Sequence, residues 1–287
     1  MVDVVFEEIE CSSAIHRVRA ANLPLRWALN PYRVAESPCG YCGDDASGGR
    51  EWRVLVKVNA AEALRRDLAR PEWRRETIAI GTACEPYHAA ELRYSLTHRL
   101  LRVLRDSANP ATLFTRSALV ARDADVLADL GAVTDVSVVF PLATLDEEVR
   151  LRIEPASDTS ERRLRAMERI AEAGVRCGVL LAPVFPGLTD DPESLEGVIE
   201  AARRHGASFV HPNVLYLPPG TREWSMPLLR DAYPHLLERY AAFYQGPHGA
   251  RSFTQDVIRT IEALRERLGL APAAETLRAG GQLQLAM

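Results

Sequence analysis

Cys39 and Cys42 stand three positions apart in "SPCGYCGDD", a polar, glycine-rich stretch that follows Pro31 and Pro38. Such a Cys-x-x-Cys pair places two thiolates within reach of one soft metal centre, as in zinc sites and iron–sulfur clusters, or lets the sulfurs exchange as a redox dithiol. A zinc site would need two further Cys or His ligands. The sequence has no second Cys-x-x-Cys, and its seven histidines show no His-x-x-x-His spacing. Cys11, Cys84 and Cys177 bring the cysteines to five, an odd number at irregular intervals, unlike a secreted disulfide framework. Metal, redox and core roles all remain open on the cysteines alone.

The elements that must position these residues are legible in the hydrophobic pattern. From residue 25 onward, short apolar or β-branched runs alternate with helical stripes, which implies a parallel sheet with crossover helices. The spacing predicts strands at 25–30, 77–83, 111–117, 133–143, 175–185 and 208–217, with "WRVLVKVN" as a short strand outside the repeat. A helix after Asp158 carries Leu164, Met167, Ile170 and Ala171 on one face, with Asp158 and Glu161 in capping-box spacing and Gly174 as its stop. Another has an acidic cap, Pro192 in its first turn and a Leu195, Val198, Ile199 and Ala202 stripe. A third, over 89–107, aligns Leu92, Leu96, Leu100, Val103 and Leu104. Six βα units give an α/β fold, a partial (β/α)6 TIM-like barrel over 25–245. An N-terminal extension (1–24) precedes it, and a C-terminal helix with a loosely ordered tail (246–287) follows.

In parallel α/β barrels the loops after the carboxyl ends of the strands build the active site. Those loops bring Cys39 and Cys42 after the first strand, Cys84, Glu85 and Tyr87 after the second, and Arg116 and Ser117 after the third. Thr144 and Asp146 follow the fourth strand, Phe185 the fifth, and Tyr216 the sixth. His88 shares the second loop, where a lone histidine more commonly packs than ligates.

Longer motifs make the pattern specific. "NPYRVAESPCGYC", "VLVKVNA", "GTACEPYHAAE", "FTRSALVARDADVL", "TLDEEV", "EP" and "AEAGVRCGVLLAPVFPGLTDDP" resemble the radical S-adenosylmethionine superfamily. The likeness is to its branch of spore photoproduct lyase and bacterial "DNA repair photolyase" relatives. That branch carries Asn-Pro-Tyr-x-Gly-Cys-x-x-x-Cys-x-Tyr-Cys after the first barrel strand. The resemblance implies a 4Fe-4S cluster on three cysteinates, with one iron open to the amino and carboxylate groups of S-adenosylmethionine. One electron, from a donor such as flavodoxin or ferredoxin, then yields a 5'-deoxyadenosyl radical that abstracts hydrogen from a substrate. The protein supplies ligands, orientation and exclusion of water.

By position Cys39 and Cys42 match the second and third cluster ligands, and Tyr41 stands between them as in the family. The first ligand position is Ala35, which has no donor atom. Val34 replaces the usual glycine, and Gly43 and Asp44 replace an aromatic residue and an alanine. Cys84 stands where close relatives have threonine and where spore photoproduct lyases place a hydrogen-donating cysteine. It therefore reads as a substitute cluster ligand, a hydrogen donor or a packed cysteine. Arg116 takes the place of a lysine in a region that contacts S-adenosylmethionine, and a guanidinium can hold a carboxylate bidentately. Ser117, Ser137 and Thr144 offer hydroxyls to the ribose or the methionyl carboxylate, and Glu85 and Tyr87 line the site or anchor its loop.

Composition narrows the partners. A net charge of −4 argues against a strongly electrostatic nucleic-acid binder, although a nucleic-acid lesion remains one candidate for the unknown substrate. No apolar run reaches the length of about 18 residues that spans a bilayer, so a cytoplasmic protein without a membrane partner is expected. Two alternatives accompany the radical-chemistry reading. One is a pseudoenzyme or binding module that kept the barrel after losing a full cluster, and the other is a dithiol or zinc protein using Cys39 and Cys42.

Overall fold

The computed structural model describes residues 3–18, 25–34, 51–217 and 219–272; Ala35, Cys39, Tyr41, Cys42 and the tail from 273 onward lie outside them. Eleven strands are described: β1 (Asp3–Ile9), β2 (Ile15–Arg17), β3 (Trp27–Leu29), β4 (Tyr32–Val34), β5 (Glu51–Lys57), β6 (Ile78–Ile80), β7 (Ala111–Phe114), β8 (Val136–Pro141), β9 (Arg176–Val184), β10 (Phe209–Val214) and β11 (Ala271–Pro272). The helices are α1 (Ala60–Leu68), α2 (Glu91–Tyr94), α3 (Leu96–Asp106), α4 (Ala124–Val133), α5 (Glu147–Ile153), α6 (Ser160–Glu172), α7 (Pro192–Arg204), α8 (Pro219–Ala232), α9 (Leu237–Phe243) and α10 (Arg251–Arg267).

The main sheet runs β11-β10-β9-β8-β7-β6-β3-β2. Every neighbour pair from β3 to β11 is parallel, and β2 closes the edge antiparallel to β3. All six strands predicted for the barrel lie in this sheet, in the expected order. The seventh predicted run, β5, lies in a separate sheet of order β1-β5-β4, where β1 is parallel and β4 antiparallel to it.

Alternation divides the strands between two cores. Ala79, Phe114, Val139, Leu180, Ala182 and Phe209, with Leu25, form a buried cluster on the inner face of the barrel. Ile78, Ile80, Leu113, Val138, Phe140, Cys177, Val179 and Val210 face outward and join the helices in the largest apolar cluster. Burial on both faces is why these strands read as continuous apolar runs. A Cβ on Gly178 would come within 2.6 Å of the Phe209 ring, so this glycine lets the ring fill the lumen.

Two helix boundaries differ from the sequence expectation. The 89–107 stripe breaks at Ser95, whose φ of +49° leaves the right-handed helical region. It becomes α2 and α3, and Leu92 is 71% exposed, not part of the packed face. At α6 the cap is Thr159, which accepts the Arg162 amide at 3.2 Å. Asp158 instead turns its carboxylate to the Ala118 amide at 2.7 Å, so tertiary contact wins over the capping box. The α7 cap is as expected, with Asp191 accepting the Ser194 amide at 2.9 Å and Pro192 in the first turn.

Candidate active site at the carboxyl ends of the strands

Asn30 directly follows β3 and is buried. Its side-chain oxygen accepts the Ala83 amide at 3.0 Å, and its carbonyl accepts Lys57 Nζ at 2.9 Å. One residue thereby joins the start of the Cys39–Cys42 segment to the Cys84 loop and to the end of β5. Lys57 is the chain's single lysine. Burial pulls its pKa down, and the nearby Cys11 and Cys84 sulfurs oppose that shift.

The tyrosine of the Asn-Pro-Tyr stretch, Tyr32, is fully buried and donates its hydroxyl to Glu91 Oε2. Glu91 also accepts the Thr97 amide at 2.9 Å, the His98 amide at 3.2 Å and Arg122 Nη2 at 2.8 Å. Arg122 spans to Asp123 at 2.9 and 3.0 Å, and Asp123 in turn accepts the Tyr87 hydroxyl at 3.0 Å and meets His98 Nδ1 at 3.0 Å. Burial, and then the carboxylates beside them, push both phenols above the ordinary tyrosine range. Hydrogen bonds to Asp123 and Glu91 hold Arg122 firmly charged. Tyr32 and Tyr87, from the two Pro-Tyr motifs, are thus pinned to one ionic cluster.

The β6 loop begins at Gly81, with φ of +81° and its Cβ direction 2.4 Å from the Phe114 carbonyl oxygen, a position closed to any side chain. Cys84 is half-buried and packs against the cluster of Tyr32, Val54, Val56, Ala90 and Leu96. Glu85 bridges to the next strand: it accepts the Thr115 hydroxyl at 2.5 Å, the Arg116 amide at 2.8 Å and the Tyr87 amide at 3.0 Å. Burial pushes its carboxyl up, and these donors pull it back only in part. His88 accepts the Ala90 amide through Nδ1 and meets the Phe6 ring edge-on. Burial lowers its pKa, which suits a packing role.

Arg116 lies two residues beyond Phe114, past the end of β7. Its Nε donates to Glu154 Oε1 at 3.1 Å. Glu154 is 1% exposed, and its other oxygen receives Arg163 Nη2 at 2.5 Å. Arg163, equally buried, also donates to the Pro141 carbonyl and the Asp158 carbonyl, each at 2.8 Å. Ser117 caps the following turn by accepting the Leu119 amide, and its hydroxyl lies 3.4 Å from Asp158. Thr144 accepts the Asp146 amide at 3.0 Å, and its carbonyl holds the Ser160 hydroxyl.

Ser137 departs from its expected position near the end of the fourth strand. It is the second residue of β8, buried, beside Thr112 at 3.4 Å. The inner-face residues Phe114, Val139 and Leu180 lie farther along the strands, so apolar side chains separate Ser137 from the carboxyl-end loops. Phe185 packs among Leu215, Leu217, Leu229, Tyr240 and Tyr244 under the α8–α9 region. Tyr216 rests on the His248 ring at 4.8 Å. The described loops thus bring together Asn30, Lys57, Cys84, Glu85, Arg116 and Glu154, with Ser117 and Thr144 at the margin as turn residues. Asn30, Glu91 and Glu154 were not singled out by sequence, although each belongs to a quoted motif or adjoins one; only their partners reveal what they hold.

Cys177 has its sulfur near the Met167 and Gly206 carbonyls at 3.6 and 3.7 Å, and burial pushes its thiol up to about 12. Cys11 is tied by its amide and sulfur to Asn59. Among the described residues no group of three His, Cys, Asp or Glu side chains could hold a metal ion.

This barrel and its carboxyl-end loops belong to a known class: residues 29–211 match the model of the Radical SAM superfamily, and the chain is a member of it. The family implies an iron–sulfur cluster and S-adenosylmethionine as its cofactors. Among curated proteins the chain is 36% identical to an uncharacterized protein of Mycobacterium tuberculosis, over 97% of this chain and 82% of that one. An uncharacterized protein of Methanocaldococcus jannaschii is 23% identical, over 58% of this chain and 62% of the relative. In fold, the chain matches a spore photoproduct lyase double mutant with bound AdoMet and dinucleoside spore photoproduct. The TM-score is 0.70 at 12% identity, covering 94% of this chain and 80% of the other. Among the described residues no helix is long and apolar enough to cross a membrane.

Proposed function

We propose that this chain is a radical S-adenosylmethionine enzyme whose cluster is held by Cys39 and Cys42, with Cys84 supplying the sulfur that Ala35 lacks. The observation that carries this reading is the Asn30 bridge, which fastens the residue before the cysteine loop to the backbone one residue from Cys84. Cys39, Cys42 and Cys84 would hold an iron–sulfur cluster, which would supply one-electron reduction of S-adenosylmethionine, fed by a flavodoxin- or ferredoxin-class donor, to generate a radical that abstracts hydrogen. The chain's own residues bind and orient. Arg116 meets the methionyl carboxylate, Ser117 and Thr144 border the nucleoside, and Glu85 keeps the β6 and β7 loops in register. Tyr41, between the cluster cysteines in sequence, is assigned to cofactor binding on the same family pattern. Phe114, Val139 and Phe209 close the lumen beneath and keep water from that side.

The substrate class follows the neighbour in fold only as a proposal: a nucleic-acid lesion or another buried carbon–hydrogen bond reached from the mouth of the barrel. Anaerobic reconstitution with iron and sulfide, followed by iron counting and assay of 5'-deoxyadenosine, tests the reading. Wild-type protein should take up about four irons per chain, as a four-iron cluster requires. Cys84→Ala should lower the iron content, whereas unchanged iron removes Cys84 from the ligand set. Ala35 favours a second reading, a binding module without a full cluster. The absence of both iron uptake and 5'-deoxyadenosine formation would favour it, and tight zinc binding without iron would instead indicate a zinc or dithiol protein.

A further inference from the structure

We infer that Glu154 is a positioning residue that orients Arg116 toward the carboxylate of S-adenosylmethionine, an inference that rests on the cofactor reading above. Glu154 directly follows α5 and is almost completely buried. Oε1 accepts Arg116 Nε at 3.1 Å, and Oε2 accepts Arg163 Nη2 at 2.5 Å and the Ser157 hydroxyl at 3.2 Å.

Arg163 supplies the rigidity. It is 1% exposed, and its remaining contacts go to the carbonyls of Pro141 and Asp158 and to the Ser157 hydroxyl at 2.8 Å. Arg150 adds bonds from Nη1 to the carbonyls of Glu154 and Ser157 at 2.9 and 3.1 Å. Asp158 ties the same loop to the Ala118 amide just past Arg116. Residues 154–158 are thereby fixed to the carboxyl ends of β7 and β8.

A buried ion cluster of this kind is a poor route to stability, because the desolvation of its charges offsets most of their attraction. Its yield is geometric. An arginine held through Nε by a fixed carboxylate keeps its guanidinium in one plane, whereas an unsupported side chain samples many rotamers.

The test compares S-adenosylmethionine with its decarboxylated analogue, using calorimetric binding to the reconstituted protein. Glu154→Gln keeps the size and one oxygen of the side chain but removes its charge. It should weaken S-adenosylmethionine by about tenfold, the scale of one charge-assisted hydrogen bond, and leave the decarboxylated analogue within about twofold. Arg116→Lys keeps the positive charge without an Nε and should show the same selective loss. The double variant should lose little beyond either single one, because both act on one contact.

Equal weakening of both ligands would reduce Glu154 to a structural residue and overturn the inference, as would unchanged binding of both. Should Glu154→Gln fail to fold, full additivity between Arg116→Lys and the milder Glu154→Asp would overturn it equally. If the unaltered protein bound neither ligand, the cofactor reading would itself fall, a result distinct from the loss of selectivity in the variant alone.

Discussion

Two buried carboxylate clusters flank the barrel mouth, and they are built on opposite plans. Glu91 and Asp123 collect donors from α3, the β6 loop, β4 and the turn before α4: two phenols, two backbone amides, His98 and one shared arginine. Glu154 is set between two arginines, one clamped to backbone carbonyls and the other just past β7. The first cluster fastens segments of chain to each other. The second fastens one charged side chain in one orientation. Buried charge therefore serves assembly on one side of the mouth and aim on the other, a distinction that burial alone does not show.

The largest effect should come from the assembling cluster. Glu91→Ala leaves Tyr32 and two amides without their acceptor, takes one of the two carboxylates from Arg122, and should cost about 3–5 kcal/mol in chemical denaturation, as expected when one partner of a buried pair is removed. It should not discriminate between S-adenosylmethionine and its decarboxylated analogue; a selective loss there would erase the contrast with Glu154.

Acid titration of either cluster must first be corrected for His211. Burial, and then the charge of Arg265, lower its pKa to about 4 from an ordinary 6.5. The unfolded chain then binds the extra proton first, so stability is full above pH 6.5 and falls as the pH drops toward 4, by about 3 kcal/mol in total. His211→Gln should flatten that part of the stability profile, and an unchanged acid slope would assign it to the carboxylates.

Tyr87→Phe removes one of the donors to Asp123 and should cost about 1 kcal/mol, the net worth of a typical hydrogen bond. Differential calorimetry would register it as a shift of a few degrees in Tm, as about 1 kcal/mol does in a chain of this size. Leu92→Ala, at the exposed α2 position, should change stability by less than about 0.5 kcal/mol. A loss of several kcal/mol there would mean that α2 packs as the unbroken stripe implied.

The parallel sheet was legible because each strand is an apolar run bounded by turn residues, and a doubly buried strand has no other way to read. The site was legible as a set of loops. Cys84, Glu85 and Arg116 could be placed after their strands by counting. Ser137 could not be placed at the correct depth, because depth depends on register, and Ser137 is the second residue of β8. The pairing of Glu154 with residues 38 positions earlier and nine later is likewise invisible to local pattern, since tertiary folding alone brings β7, α5 and α6 together. Ser95 hid the break in the 89–107 stripe, because serine gives no sign of the left-handed φ it adopts. The N-terminal strand gave no hint of its partner: Asp3 pairs with Glu51 and Ile9 with Lys57, a parallel match across nearly fifty residues.

The antiparallel pairing of Tyr32 with Val56 and of Val34 with Val54 has a thermodynamic consequence for the cysteine loop. The chain leaves β4 and returns on β5, its immediate neighbour, so backbone hydrogen bonds hold the two ends of residues 35–50 together. Each doubling of such a closed loop adds only about 0.6 kcal/mol, so a short insertion at Gly48–Gly49, away from both thiols, should be tolerated. The two ends of residues 35–50 are thus fixed by strand pairing that belongs to the fold itself, independent of what that stretch binds.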